Sequence, residues 1–238
     1  MVKIAVGCPV KDRGWVLETW FDAVETQIVP GIEIEVVCVY SESEDDTEKI
    51  LRSRGAHILY DEKRGRSPWE INSHAWGSPA VYEYMASLRN QLLDWVQASD
   101  ADFFLSLDSD ILAPFGTLKA LLDFYRSCPG VISPAVNMGL NGTVAWNTMR
   151  WVSGPNSPAT RQGTPPDRWG KVDVVMAAML LDRSAVETLR WAPHPQGEDL
   201  GFSANAARAQ IPLYWLPQVA CPHLMKKGTF NERALIRA

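Results

Sequence analysis

Two carboxylates follow an apolar stretch near the middle of the sequence. Residues 103–107, Phe-Phe-Leu-Ser-Leu, run directly into Asp108-Ser109-Asp110. Side chains one residue apart on a chain leaving extended geometry point the same way, so both carboxylates can face one cation. Mg²⁺, and by similar preference Mn²⁺, is typically held by one or two carboxylates together with water and substrate phosphates. The pattern predicts an incomplete metal site that needs a phosphate-bearing partner; the alternative is that Asp108 only caps a turn.

The residues before this pair alternate between strand and helix patterns. Branched and apolar runs predict strands at 3–8, 34–40 and 56–60, and apolar residues at helical spacing predict helices at 15–26 and 47–54. This β-α-β-α-β order is typical of a parallel sheet with crossover helices. Ligands of such sheets bind outside the carboxyl ends of the strands, which is where Asp108 and Asp110 are expected.

The rest of the chain continues the α/β pattern, with two long irregular stretches at 61–80 and 137–171. Loops of this length in a compact domain usually serve a site or are disordered. The remaining predicted elements are helices at 81–98, 115–127, 184–190 and 199–209, and strands at 103–107, 131–133, 172–181 and 213–216. We therefore predict an α/β fold with a mainly parallel central sheet flanked by helices.

Length and composition restrict the class of protein. The chain has 238 residues, of which 46% are hydrophobic, enough for one sizeable core, so we expect a single domain over 1–238. No apolar run approaches the ~18 to 20 residues that cross a bilayer, and the first residues lack the long apolar segment of a signal peptide. These features predict a protein without a transmembrane segment, located in the cytoplasm.

Charge and cysteine content exclude further classes. The four cysteines include no C-x-x-C pair, which argues against a zinc knuckle or a redox pair. With 23 basic and 28 acidic residues the chain is mildly acidic, and it has no concentrated basic stripe of the kind that binds nucleic-acid phosphates.

The order of these features resembles the GT-A glycosyltransferases, and most closely those of the family 2 type. The resemblance rests on the β-α-β-α-β start, on Arg89-Asn90 in a helix, on the D-x-D at a strand end, on Gly197-Glu198-Asp199 opening a helix, and on a late histidine, His223. It spans residues 3 to about 225. It implies a GT-A domain with a nucleotide-binding half at 1–112, an acceptor-binding half at 113–225 and a tail at 226–238.

The resemblance implies a nucleoside-diphosphate sugar as donor. Loops after the first two strands, the Arg-Asn pair and the D-x-D would bind it. Tyr40 and Ser41 stand where the family usually has aspartates that hold the nucleotide, so the base stays open, with UDP as the working expectation. The implied donor-binding residues are Pro9, Val10, Arg13, Tyr40, Ser41, Glu42, Arg89, Asn90, Asp108 and Ser109.

The resemblance also implies a Mn²⁺ or Mg²⁺ ion and a catalytic acid pair. Asp108, Asp110 and His223 would be the metal ligands, although a lone histidine is more often structural. In inverting members the aspartate of the Gly-Glu-Asp motif removes the acceptor's proton, which gives Asp199 the role of base and leaves Glu198 to the acceptor's hydroxyls. Acids in a first helical turn also have a purely structural explanation, because they meet unpaired amides there. A retaining course, as in the fungal D-x-D mannosyltransferases that the chain distantly resembles, would remove the base role.

Tryptophans and basic residues of the long loops are candidates for the acceptor side. Trp146 and Trp169 could offer flat faces to a sugar or another ring, and so could Trp69, Trp76 and Trp151, but a loop tryptophan is as often a peg that holds its loop to the body. The second loop is locally basic, and its basic residues are Arg150, Arg161, Arg168 and Lys171. The acceptor is thus an unidentified hydroxyl compound: a glycan, a small molecule or, with less support, DNA carrying a modified base.

Two alternatives remain open at this point. A nucleotidyltransferase that makes nucleotide sugars would want a Gly-rich loop with a basic residue immediately after the first strand, where this chain has only Gly7 and Gly14 around Pro9 to Arg13. A carbohydrate-binding scaffold that had lost its chemistry would not need Asp108, Asp110, Asp199 and His223 together.

Overall fold

A computed structural model describes residues 1–62, 78–138, 145–155, 160–161 and 169–224 of the chain. Eleven strands and six helices lie in these described residues. The strands are β1 (Val2–Val10), β2 (Ile32–Tyr40), β3 (His57–Tyr60), β4 (Phe103–Leu107), β5 (Val131–Val136), β6 (Thr148–Trp151), β7 (Thr160–Arg161), β8 (Gly170–Val172), β9 (Val174–Val175), β10 (Ala178–Asp182) and β11 (Leu213–Cys221). The helices are α1 (Leu17–Glu25), α2 (Thr47–Ser53), α3 (Pro79–Ala98), α4 (Thr117–Ser127), α5 (Arg183–Thr188) and α6 (Glu198–Arg208).

Eight of the strands form one sheet in the order β3-β2-β1-β4-β10-β5-β11-β8. Neighbours pair in parallel except where β10 or β8 is involved, and both of these strands run antiparallel to their partners. Strands β7, β6 and β9 form a second, small antiparallel sheet. The predicted α/β fold with a mainly parallel central sheet is confirmed.

Helices cover both faces of the large sheet because its central strands are apolar on both sides. In β1, residues Ile4 to Cys8 are all buried, as expected for a strand between two helical layers. Alternate residues enter two cores, one under α1 and α4 and the other under α3, α5 and α6. This alternation decides which residue at each strand end faces α3, the helix that carries Arg89.

The predicted single strand at 172–181 is wrong. The segment is divided into β8 at the edge of the large sheet, β9 in the small sheet and β10 at the centre of the large sheet. The break before β10 lies at Ala177, which has a φ of +68°, a left-handed conformation that a residue with a Cβ rarely adopts. A continuous apolar run does not show where a chain changes sheets, and hydrogen bonds outside the run fix the break: the Met176 amide donates to the Asn147 carbonyl at 3.1 Å.

Four strands, β1, β2, β5 and β11, are longer than predicted. Strand β5 continues to Val136 and β11 to Cys221, with a register irregularity between Leu216 and Ala220. The irregularity lets β11 pass Pro217, which lacks an amide hydrogen, and resume pairing. The extension carries Pro222 and His223 to the same sheet edge as the D-x-D.

Helix α3 is the longest helix in the described part of the chain, with 20 residues. Ser78 caps it by accepting a hydrogen bond from the Val81 amide, and Pro79 occupies its first position, both favourable at a helix start. Among the described residues, no helix combines the length and apolar character needed to span a membrane.

Helix α6 packs so closely on the preceding segment that Gly201 has no room for a side chain. A Cβ there would lie 1.8 Å from the Ala192 carbonyl oxygen. Alanine normally stabilises a helix over glycine by about 1 kcal/mol, but overpacking costs about 1–3 kcal/mol. We predict that Gly201→Ala lowers the melting temperature measured by circular dichroism, by roughly 2–4 °C for each kcal/mol lost.

Ala207→Ser, at an exposed position of the same helix, is the control and should leave the melting temperature within about a degree or two, as surface substitutions usually do. A more stable Gly201→Ala variant would show that α6 does not pack against Ala192 as described.

Candidate functional site

The carboxyl ends of β1, β2, β3, β4 and β11 meet at one edge of the sheet. A cavity of about 260 Å³ lies at this edge. Five of the predicted donor-binding residues line it: Pro9, Val10, Arg13, Ser41 and Ser109. Lys11, Asp12, Met85 and Leu88 complete the lining. Residues from four separate segments thus form one concave, partly basic surface.

Hydrogen bonds fasten the loop after β1 to the loop after β2. The Asp12 amide donates to Ser43 Oγ at 3.1 Å, and the Arg13 amide donates to Thr47 Oγ1 at 2.8 Å. In return, the Glu44 amide donates to Asp12 Oδ1 at 2.9 Å. Asp12 has a φ of +49°, a conformation that aspartate tolerates better than most residues with a Cβ. The floor of the cavity is therefore built on a doubly anchored backbone.

Arg89 lies in the interior of α3 and joins three carboxylates. Its side chain is only 4% exposed. Nη1 and Nη2 donate to the two oxygens of Asp108 at 2.8 and 3.1 Å, and Nε donates to Glu198 Oε1 at 3.2 Å. Asp199 Oδ1 lies 3.9 Å from the same Nε. Buried charges need such partners, so the guanidinium fixes the D-x-D strand end and the start of α6 relative to each other.

Trp191 holds Asp199 from the other side. Its indole Nε1 donates to Asp199 Oδ1 at 2.9 Å, while the Ala177 amide donates to Oδ2 at 3.2 Å. The Trp191 ring also lies 5.7 Å from the Arg89 guanidinium carbon and stacks on Phe202. Asp199 is 9% exposed, so this set of contacts fixes one orientation of its carboxylate.

The surroundings of Glu198 alter its protonation. Burial, followed by the neighbouring charge of Asp199, raises the pKa of Glu198 to about 7, although Arg89 opposes the shift. A carboxyl group with such a pKa can hold or release a proton near neutral pH, a property that general acid–base chemistry requires.

Asp110 points away from Arg89 and lies between Arg13 and His223. Its Oδ1 is 3.6 Å from His223 Nε2, and its Oδ2 is 3.6 Å from Arg13 Nη2. Burial alone would raise the pKa of Asp110, but His223 and Arg13 hold it below its usual value. Burial would lower the pKa of His223, and Asp110 outweighs this and raises it.

A short antiparallel pairing brings Asp110 and His223 together. The Leu112 amide donates to the Pro222 carbonyl at 2.9 Å, and the Leu224 amide donates to the Asp110 carbonyl at 2.7 Å. Ile111 and His223 form the bridge between these two bonds. The backbone therefore fixes this carboxylate–imidazole pair, whatever the side chains bind.

The two groups fit a divalent cation better than the predicted three do. Carboxylate and imidazole are both ligands of Mn²⁺, and a cation held by few protein groups takes its other ligands from water and phosphate. Within the described ranges no three His, Cys, Asp or Glu side chains are grouped to hold a metal. Asp108, predicted as a metal ligand, instead accepts hydrogen bonds from Arg89 on both of its oxygens, because a buried guanidinium needs a carboxylate partner.

Besides Asp108, four predicted donor contacts have structural partners and do not line the cavity. Tyr40 is buried in the core, where its hydroxyl accepts a hydrogen bond from the Ser43 amide. Asn90 uses its amide group on the backbone of Trp191, donating to the carbonyl and accepting from the amide, both at 2.9 Å. Glu42 is exposed, and Lys11 Nζ donates to its carbonyl oxygen. Arg89, the fourth, serves the acids described above.

The two tryptophans predicted to bind the acceptor lie against the body of the protein. Trp146 packs 5.8 Å from the buried Trp215, and Trp169, although 50% exposed, makes an edge contact with Phe124 of α4 at 5.1 Å. Both are pegs in this structure, the alternative that the sequence left open. Several other predicted positions fall outside the described residues: Trp69, Trp76, Arg168 and the tail 226–238.

Sequence reasoning missed Trp191 and Asp61. Trp191 lies between two helices in a Pro-rich turn, where its spacing to Asp199 carries no pattern. Asp61 directly follows β3 and is only 6% exposed, although the sequence reads as the start of a surface loop. A carboxylate at the carboxyl end of a parallel strand was the available signal, the same one that identified Asp108.

Comparisons with known proteins concern the fold. No protein-family model matches the sequence, and no curated protein does. Among solved structures, glucosyl-3-phosphoglycerate synthase from Mycobacterium tuberculosis, in complex with Mn²⁺, UDP and glucosyl-3-phosphoglycerate, matches 94% of the chain over 73% of its own, with 14% identity and a TM-score of 0.55. TarS from S. aureus matches 94% of the chain with 16% identity and a TM-score of 0.59.

The chain spans only part of these neighbours, 37% of the TarS chain in that comparison. A TarS fragment, 1–349, in complex with UDP-GlcNAc matches 96% of the chain over 60% of its own, with 18% identity and a TM-score of 0.59. The chain therefore has the GT-A fold of these glycosyltransferases, as the resemblance implied.

Removal of the Arg89 guanidinium should lower the free energy of unfolding by an amount that depends on pH. We predict that Arg89→Leu loses about 3–5 kcal/mol of unfolding free energy at pH 7.5, because it leaves the buried Asp199 and the partly buried Asp108 and Glu198 without a cation. Burial already raises the pKa values of Asp108 and Glu198, and without Arg89, which opposes these shifts, they rise further above their unfolded values. Their penalty is therefore largest at high pH and shrinks as pH falls and they bind protons.

Urea denaturation at pH 7.5 and 5.5 measures both effects. The control is Arg126→Leu, which breaks an exposed ion pair with Asp123 and should change the unfolding free energy by less than about 1 kcal/mol at either pH. An equal loss in the two variants, or a deficit in Arg89→Leu that grows on acidification, would contradict the described cluster.

Proposed function

We propose that the chain is a metal-dependent glycosyltransferase that moves a sugar from a nucleoside-diphosphate sugar to an acceptor hydroxyl. The observation that carries the proposal is the Arg89 cluster: one buried guanidinium holds the acid after β4 and the acid pair of α6 beside a cavity at the sheet edge. A scaffold without chemistry has no need for one buried and two partly buried carboxylates around one buried guanidinium, an arrangement that is costly to maintain.

The donor end of the reaction belongs to the cavity and its cationic rim. Arg13 and Lys11 line the cavity and can meet the negative charge of a diphosphate. Asp110 and His223 would hold the divalent cation. When bound, such a cation neutralises charge that grows on the leaving diphosphate as the glycosidic bond breaks.

The acceptor end belongs to the first turn of α6. An inverting transfer needs a base that removes the proton of the acceptor hydroxyl as its oxygen bonds to the anomeric carbon and the bond to the diphosphate breaks. We assign Asp199 as this base, because Trp191 and the Ala177 amide fix the orientation of its carboxylate at the start of α6. Glu198 is assigned to the acceptor's hydroxyls and, with its pKa of about 7, supplies a charge that varies near neutral pH.

The structural neighbours support the cofactor and the donor class. The M. tuberculosis synthase was crystallised with Mn²⁺ and UDP-glucose, and the TarS fragment with UDP-GlcNAc. We therefore propose Mn²⁺, with Mg²⁺ as its closest substitute, and a UDP-sugar. The acceptor is proposed only as a hydroxyl compound, whether a glycan, a small molecule or a modified base in DNA.

The divalent metal ion should be required for turnover. We predict that UDP release from a panel of UDP-glucose, UDP-GlcNAc and UDP-galactose depends on Mn²⁺ and is abolished by EDTA. We also predict that Asp110→Asn lowers the rate of UDP release by at least roughly a hundredfold, since metal catalysis supplies several kcal/mol. A coupled assay for the released nucleotide measures this, with Asp46→Asn, an exposed acid of the α2 start, as the control. Release that survives EDTA would refute the metal-dependent reaction.

Variants of Glu198 and Asp199, the two acids of α6, should differ in how their reaction rates depend on pH. We predict that the wild-type rate falls as pH drops through about 7, because Glu198 gains a proton and loses its charge. Glu198→Gln should show a lower rate without this limb, and Asp199→Asn should lose about 10²- to 10⁴-fold at every pH, the usual value of a general base. Steady-state rates from pH 5.5 to 8.5 provide the test.

The opposite result for the two variants would assign the role of base to Glu198. If Asp199→Asn stayed within a few fold of the wild type while Glu198→Gln lost the large factor, Glu198 would be the base. Gln196, the exposed residue before Gly197, offers a control in Gln196→Ala that should alter neither the rate nor its pH profile.

A further inference from the structure

Ala177, in the turn before β10, is hydrogen-bonded to residues on both sides of the site. The Asp108 amide donates to the Ala177 carbonyl at 3.0 Å, and the Ala177 amide donates to Asp199 Oδ2 at 3.2 Å. Ala177 is only 2% exposed, so both hydrogen bonds lie in the interior. A single residue therefore spaces the end of the D-x-D strand from the carboxylate proposed as the base.

Ala177 holds this position in an unfavourable backbone conformation. Its φ of +68° lies in the left-handed region, where the Cβ of an L-residue comes too close to the following carbonyl oxygen. Glycine adopts this region without that cost, yet the chain has alanine here. Strain of this kind persists only where the surrounding structure imposes it, and it concentrates at active sites. The neighbours of Ala177 must therefore hold the turn.

Asn147 fixes the residue before the turn through both of that residue's main-chain groups. The Met176 amide donates to the Asn147 carbonyl at 3.1 Å, and Asn147 Nδ2 donates to the Met176 carbonyl at 3.0 Å. The Asn147 side chain is fixed in turn, because its Oδ1 accepts a hydrogen bond from the Val136 amide at 2.9 Å. Since Asn147 is fully buried, it sets the position of Met176 relative to β5.

The same side chain also reaches the residue after the turn. Asn147 Nδ2 donates to Ser133 Oγ at 2.9 Å, and the Ser133 hydroxyl donates to the Ala178 carbonyl at 2.6 Å. Ser133 and Ala178 are both fully buried. With Met176 held directly and Ala178 held through Ser133, the residues on both sides of Ala177 are fixed.

We propose that Asn147 is a positioning residue for sugar transfer, which holds the Ala177 turn so that Asp199 faces the acceptor hydroxyl. This inference rests on the proposed function and adds to it a buried residue outside the cavity lining. A reacting group displaced by about 1 Å can lose on the order of a hundredfold in rate, so a side chain that places the base has a measurable effect. Removal of the Asn147 side chain lets Ala177 leave the left-handed region and withdraw its amide from Asp199.

The test compares the rate of UDP release with the affinity for UDP, both in the presence of Mn²⁺. The rate is measured with UDP-glucose, UDP-GlcNAc and UDP-galactose, and the affinity by calorimetry. Asn147→Ala should lower the rate at saturating donor by roughly ten- to a hundredfold. The affinity for UDP should stay within a few fold, because Arg89 still holds Asp108 and the loops after β1 and β2 keep their own hydrogen bonds.

Substitutions of Ala177 test whether Asn147 acts through the turn. Glycine adopts the left-handed conformation without help from its neighbours. In an Ala177→Gly background, the change Asn147→Ala should therefore lower the rate by only a few fold. Ala177→Val should lower the rate while Asn147 is intact and leave UDP affinity within a few fold, because a branched residue strongly disfavours the left-handed conformation.

Gln97→Ala is the matched control. Gln97 also donates its side-chain amide to a main-chain carbonyl, that of Val186 at 2.7 Å, but it lies near the last residue of α3, at the end away from the cavity. It should lower the melting temperature without changing the rate of UDP release. Thermal melting of each variant without nucleotide shows which are folded, and if Asn147→Ala is not, Ala177→Val decides the test.

Each failure has its own meaning. If the wild type bound no UDP, or released none from the three donors, the proposed function itself would fail. If the wild type were active and Asn147→Ala kept its rate, or lost rate and UDP affinity together, the positioning role would be overturned while the glycosyltransferase stood. If Asn147→Ala lost the same factor in the Ala177→Gly background, Asn147 would not act through the turn, which would also overturn the inference.

Discussion

The geometry of the site depends on one buried positive charge, the guanidinium of Arg89. Arg89 is enclosed by α3, the end of β4 and the start of α6, and each of these elements supplies or receives one arm of its contacts. A guanidinium can do this because its planar fork pairs with one carboxylate through two nitrogens while its third nitrogen faces another acid. The strand order that sets β4 beside β1 and β10 then places this cluster at the cavity edge.

The cluster also leaves a surplus of negative charge at the sheet edge. Asp108, Glu198 and Asp199 share a single buried cation, and burial raises the pKa of Asp108 despite its pairing with Arg89. Such a surplus is tolerated where a functional partner compensates it. On the other side of Asp108, the Asp110–His223 pair and Arg13 form a separate group. The acids around Arg89, which we propose for the acceptor, are thus separate from Asp110, His223 and Arg13, which we propose for the cation and the diphosphate.

Much of this arrangement could be predicted from the sequence, because its signals are local. The strand before Asp108, the alternation of the first sixty residues and the acids that open α6 each follow from periodicity or helix-end chemistry. The partners of Arg89 could not be predicted, since a solvated helix arginine gives the same pattern as a buried one. The division of 172–181 was hidden for a related reason: its apolar residues are buried in two different sheets, and only contacts with Asn147 and Asp199 show where the chain turns.

At the end of β2, where the resembled family usually has aspartates, the register between β2 and β3 decides which side chains meet. Tyr40 pairs with Tyr60 in the parallel register of β2 and β3, so the next residues, Ser41 and Asp61, are neighbours on the same face. Side chains alternate along a strand, and Tyr40 enters the core under α1, which turns Ser41 towards α3 and Tyr84. The end of β2 has no carboxylate, but Asp61, one position beyond the last paired residue of β3, lies beside Ser41 and Tyr84. Register, which no single segment of the sequence reveals, decides that these residues act together.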